Sequence, residues 1–149
     1  MLLAIASDQM SIIGFNFKSI NAYFDEKSMK TDVTINSSPT IETIEKRDLS
    51  ALGINDAIAI DFKFVTSYEP KVGEISFTGE ILYQVDDVKK VMKQWKENNK
   101  LDEKITLDVL NTIFRRCLAK AVDLSDIVRL PPPLRFPVVT SDKQEVSGN

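Results

Sequence analysis

The chain has 149 residues, 43% hydrophobic and 28% charged, with one cysteine and no histidine; that is one domain's worth, long enough to bury a core without a disulfide or a metal. The missing histidines exclude Ser-His-Asp and Cys-His catalysis and His-ligated zinc, and a lone cysteine excludes an internal disulfide and a cysteine-ligated zinc site. A net charge of −3, from 19 basic and 22 acidic residues, argues against nucleic acid as the partner, because phosphate binding requires a dense positive face.

Residues 1–10 read as an N-terminal extension, disordered and possessing a second candidate start at Met10. Their apolar run, Leu2 to Ala6, is too short to span a bilayer and lacks a basic leader. No later run approaches about 18 apolar residues, so the expectation is a soluble, cytoplasmic protein with no membrane insertion. Residues 11–140 read as a single domain and residues 141–149 as a polar, disordered tail.

From Ser11 to Phe24, Phe15 and Phe17 alternate with Asn16 and Lys18, the period of a half-buried strand. A second strand runs over Lys30 to Glu45, and Pro39 makes it an edge, a bulge or a break there. Lys46 to Asn55 reads as a connection. Ile58, Ile60, Phe62 and Phe64 then alternate with Ala57, Ala59, Asp61 and Lys63. After a short loop at Pro70 and Gly73, the apolar set Ile75, Phe77, Ile81 and Tyr83 alternates with Glu74, Ser76, Thr78 and Glu80. These two runs form a hairpin.

The period then changes. Val88, Val91, Met92 and Trp95 recur at i, i+3, i+4 and i+7, which predicts an amphipathic helix over Asp86 to Glu97. A second helix starts near Asp102 or Thr106. Its apolar stripe reads Leu107, Leu110, Phe114, Cys117, Leu118 and Ala121, widened by Ile113. Pro131, Pro132 and Pro133 stop it and force an extended segment. Strands followed by helices indicate an α+β fold, a four-stranded antiparallel sheet with two helices on one face.

The polar residues carry no recognisable chemistry. Glu74 and Glu80 lie about 20 Å apart along one strand, too far to act on one atom. Lys63 falls on a polar face, and Cys117 sits on an apolar stripe with no histidine to activate it. Gly14, Gly53, Gly73 and Gly79 form no phosphate loop, and Gly79 inside a strand signals a bulge or a close backbone approach. No metal or cofactor is expected, and no enzymatic activity. The phenylalanines exceed what one sheet face needs, because Ile12, Ile20 and Phe24 fall on the other phase of the first strand. Such a surplus points to subunit association or to a groove for apolar partners.

Order and motifs together resemble the SecB family of protein-export chaperones. The Phe-bearing first strand, Phe15 to Ile20, is similar to the family's opening strand. Phe77-Thr78-Gly79-Glu80-Ile81 is similar to its Phe-x-x-Glu-Val stretch, and Ile113-Phe114-x-Arg116 to its second-helix motif. Leu130-Pro131 and Pro137-Val138 keep the spacing of its Phe-Pro…Pro-Val segment. The likeness covers about Ile13 to Val138. The sequence departs from the pattern around Phe114 to Arg116, where the family's proline and alanine are replaced, and in the lysine-rich stretch from Val88 to Leu101.

The resemblance implies an ATP-independent holdase, involved in protein transport, that binds unfolded or partly folded polypeptides in apolar grooves. It implies homodimers through the first strand and homotetramers through the first helix. The aromatics on matching elements, Phe62, Phe64, Phe77, Tyr83, Phe114 and Phe136, are the groove candidates, and Glu80 matches the glutamate that docks the export motor. The alternative is a non-enzymatic adaptor or assembly subunit for one protein partner, with Lys89 to Lys104 as its specificity element. A third reading is a small-molecule or acidic-ligand binder using the same groove.

Overall fold

A computed structural model describes residues 11–28 and 32–134. The candidate Phe136, the Pro137-Val138 motif, the N-terminal extension and the C-terminal tail lie outside the described residues. The strands are β1 (Ile12–Phe24), β2 (Thr34–Leu49), β3 (Ile54–Glu69) and β4 (Gly73–Gln84), followed by helices α1 (Val88–Asn98) and α2 (Glu103–Val128). All strand pairs are antiparallel, and the order across the sheet is β1-β4-β3-β2. Thus β2, β3 and β4 form two successive hairpins, while β1 adds to the far side of β4. The α+β architecture expected from the sequence is the one the chain adopts.

Two irregularities in β1 change how its side chains sort. Register shifts fall between Ile12 and Gly14 and between Phe17 and Ser19. Each extra residue reverses the alternation of the residues beyond it. Ile12 is therefore opposite Tyr83, Phe15 opposite Ile81, Phe17 opposite Gly79, Ile20 opposite Phe77 and Phe24 opposite Gly73. Tyr83, Ile81 and Phe77 are core residues, so Ile12, Ile20 and Phe24 share the inner face with Phe15 and Phe17. The expectation that these three lie on the opposite phase is corrected by the two bulges.

Strand β2 likewise extends beyond the expected one. Lys46 to Leu49 continue the strand, and the connection shortens to Ser50–Leu52 and Gly53, which takes a left-handed φ of 78°. Lys46 and Asp48 are exposed there, and Arg47 turns over the outer face to meet Glu80. Pro39 pairs in register with Phe64 without breaking the strand, as an edge position permits. The nearest shift comes between Ile41 and Thr43, and it brings Ile44 onto the same face as Ile41.

Both helices cover the inner face. The Asp87 carboxylate caps α1 by accepting from the amides of Lys89 and Lys90, satisfying two otherwise orphan donors. Asn99 and Arg129 end α1 and α2 in left-handed conformations. The buried side of α2 repeats every four residues from Ile105 through Val109, Ile113, Cys117 and Ala121 to Ser125, with Thr112 buried next to Ile113. Ile113 is thus at the centre of the packed stripe rather than at its margin. Leu107, expected in the stripe, is 52% exposed. Sequence periodicity could not distinguish these two apolar stripes, because both repeat with helical spacing.

Candidate functional site

The outer and inner faces of the sheet differ in chemistry. At the centre of the outer face, Lys18 Nζ lies 2.9 Å from Asp61 Oδ1 and 3.8 Å from Glu80 Oε2. Arg47 Nη2 lies 2.8 Å from Glu80 Oε2, and Thr43 donates to Asp61 at 2.9 Å. One polar cluster therefore links all four strands. Burial acts to raise the Asp61 carboxyl, but the bonds from Lys18 and Thr43 and the nearby Lys18 and Arg47 charges outweigh it and lower its pKa. Glu80, the docking candidate, belongs to this cluster with its side chain 13% exposed.

The inner face is aromatic. Phe15 packs on Phe17 and on Phe62, each with ring centroids 5.1 Å apart. Phe17 meets Phe77 at 5.4 Å, Phe77 meets Phe64 at 6.3 Å, and Phe64 meets Phe114 of α2 at 5.6 Å. These contacts run without interruption from the β1 edge to the helix layer. The Arg116 guanidinium of α2 stands 4.5 Å from the centroid of the Phe15 ring, a cation–π distance that fastens α2 to the edge strand.

Of the groove candidates, Phe62, Phe64, Phe77 and Tyr83 are each 2% exposed or less. They lie between sheet and helices, but α1 and α2 fill that space, so these side chains serve as core in this conformation. The Tyr83 hydroxyl donates to Asp108 Oδ2 at 2.7 Å, which anchors β4 to α2. Phe114 is partly buried against the same cluster.

Leu52, Leu107, Ile127 and Leu134 stand out at separate places in the chain, whereas β1 gathers several accessible apolar side chains along one strand. Phe15, Phe17, Ala22 and Phe24 are only partly buried, while Ile20 and Tyr23 are 53% and 49% exposed. Ile20, Phe17 and Phe24 all face inward, beside α2, and the backbone edge of β1 has no strand partner among the described residues. Tyr23 is on the outer side, opposite Glu74. Beyond α2, Leu130 packs over Gly73, and the Tyr68 hydroxyl donates to the Pro131 carbonyl at 2.6 Å. The proline segment is thereby held near the end of β1. Sequence periodicity does not reveal this strip, because a period-2 count without bulges scatters its members over two faces.

A long, partly uncovered edge strand flanked by a helix can bind an extended chain in two ways. Its free amides and carbonyls can continue the ladder, and its apolar side chains can bury those of the incoming segment. No helix among the described residues is long and apolar enough to cross a membrane.

No protein-family profile matches the sequence, and no curated protein matches it. Among solved structures the fold is similar to that of the SecB-like chaperone Rv1957 of Mycobacterium tuberculosis, solved in complex with a ChAD peptide from the Rv1956 HigA1 antitoxin. The TM-score is 0.53 at 12% identity, over 87% of this chain and 89% of that one. At that identity the likeness is one of fold.

Proposed function

We propose that the protein is a non-enzymatic, ATP-independent chaperone of the cytoplasm that holds unfolded or partly folded polypeptides against the inner face of β1. The observation that carries this reading is the apolar strip of partly buried Phe17 and Phe24 around exposed Ile20, on a strand whose outer edge has no partner among the described residues. Burying such side chains stabilises a complex by roughly 25 cal/mol per Å² of apolar surface removed from water. Affinity of that origin depends little on the client's sequence, which suits a holdase.

Homo-oligomerisation belongs to the same proposal. Two β1 edges paired with each other would extend the sheet through backbone bonds alone. The inner-facing side chains of both copies would then line one wider apolar groove. The groove candidates Phe62, Phe64, Phe77 and Tyr83 form the rigid floor under that surface in this arrangement, and Glu80 stays within the polar cluster of the other face.

The fold neighbour, solved with a peptide from one antitoxin, favours a second reading, an adaptor dedicated to a single protein partner. Light scattering of several unrelated heat-denatured clients, with and without equimolar protein, separates the two. Suppression of aggregation for most clients supports the holdase. Suppression for none, alongside stoichiometric capture of one partner, supports the adaptor.

A further inference from the structure

We propose a second recognition site, separate from the β1 surface, on the flank of α1, and that it takes an acidic segment of a partner polypeptide anchored by one large apolar side chain. Lys89, Lys93 and Lys96 recur at i, i+4 and i+7 of α1 and are all exposed. They form a line about 10 Å long on one side of the helix. Among the described residues the ion pairs are those of Lys18 and Arg47, so none of these three ammonium groups is neutralised by a carboxylate.

Residues 88–100 hold five lysines and one glutamate, a net +4 in a chain whose total is −3, so the other residues carry −7. The positive charge is therefore local and bounded. Asp86 and Asp87 precede it, and Asp102 and Glu103 come after it. A nucleic-acid strand would run beyond the lysines onto this acidic surround, and the repulsion acts over about 8 Å at physiological salt. A short acidic segment meets only the lysines.

At the C-terminal end of α1, Trp95, the residue before Lys96, helps to line a cavity of about 310 Å³ with Ile41 of β2, Leu101 and Thr106. Its exposed lining is mainly apolar, and Lys100 stands at its rim. Trp95 and Leu101 are only partly buried, which leaves room for an incoming aromatic or branched aliphatic side chain. An anchor seated there places the neighbouring residues of its chain along Lys100, Lys96 and Lys93. Apolar anchor and charge line thus define one ligand, a segment of carboxylates next to one bulky apolar residue. The charges set the orientation and the rate of encounter, and the anchor supplies the buried area.

The test is fluorescence anisotropy with a labelled peptide of about 15 residues, built from Glu, Ser and Gly around one Phe. Saturable binding is expected, weakened about tenfold or more by combined Lys89→Glu, Lys93→Glu and Lys96→Glu, and weakened by replacing the peptide's Phe with Ser. Circular dichroism verifies that the triple variant is folded, and its suppression of client aggregation should stay at the wild-type level, which separates this site from the β1 surface. Absence of binding, equal binding of a peptide with Lys in place of Glu, or unchanged affinity in the triple variant would overturn the proposal. Tighter binding of a single-stranded oligonucleotide of the same charge would overturn it in favour of nucleic acid.

Discussion

The Phe62 ring lies across Gly79, its register partner on the neighbouring strand, so closely that a Cβ at Gly79 would stand 2.5 Å from the ring. The Asn16 backbone carbonyl closes on the same point from β1. Gly79 therefore lets β1 and the Phe62 ring approach β4 together, beside the bulge after Phe17. Gly79→Ala should lower stability by about 1–3 kcal/mol through overpacking. Gly53→Ala, in open space at positive φ, should cost about 1 kcal/mol through backbone strain alone. Urea denaturation of both variants checks the difference in mechanism.

The Tyr68 hydroxyl holds the segment beyond α2. Burial pushes the phenol up to about 12, so it remains a donor throughout the neutral range. Tyr68→Phe removes one bond, and the Pro131 residue that supplies the acceptor is exposed. The expected loss is about 0.5–1.5 kcal/mol. Limited proteolysis should cut near Leu130 faster in the variant, while the sheet amides keep their hydrogen-exchange protection.

Asp61 makes the outer cluster sensitive to acid. Its folded pKa is below the unfolded value of about 3.9. Its contribution is thus complete above that unfolded value and disappears as pH falls through the folded one. Asp61→Asn should flatten the loss of stability between about pH 5 and pH 3. The effect is under about 1 kcal/mol, because the carboxyl is 37% exposed and well screened. Urea midpoints of wild type and variant, taken at about pH 7 and about pH 3, measure it.

Cys117 reports on the seating of α2. It is fully buried, and burial pushes its thiol up to about 12 against the smaller opposing effect of Arg116. A thiol reagent should label the native protein slower than the urea-unfolded one by a factor on the order of 10² or more. Equal rates would show α2 detached from the sheet.

The order of elements was legible in the sequence because periods of 2 and 3.6 are local signals. Phe62 and Phe64 against Asp61 and Lys63, and Val88 to Trp95, announced a strand and a helix without any tertiary information. Positions set by other elements were not legible. The bulges that bring Ile20 and Phe24 back to the face of Phe17 depend on how β1 meets Gly79 of β4. Whether Leu107 or Ile113 faces the sheet depends on how α2 crosses β3 and β4. For the same reason the aromatic groove candidates could not be sorted into core and surface. Phe62, Phe64 and Phe77 form the core, whereas Ile20, which is not aromatic, is the exposed member of the strip.

Ile20 consequently offers the most direct test of client binding at β1. Its side chain is half exposed, stands outside the packed core and faces inward from β1. Ile20→Glu should therefore leave the fold and its urea midpoint unchanged while placing a charge in the middle of the apolar strip. The decisive measurement is light scattering of a heat-denatured client with equimolar wild-type or Ile20→Glu protein, matched for oligomeric mass. Wild type should suppress aggregation and the variant should not. Equal suppression by both would contradict a client site on β1 and place binding elsewhere on the molecule.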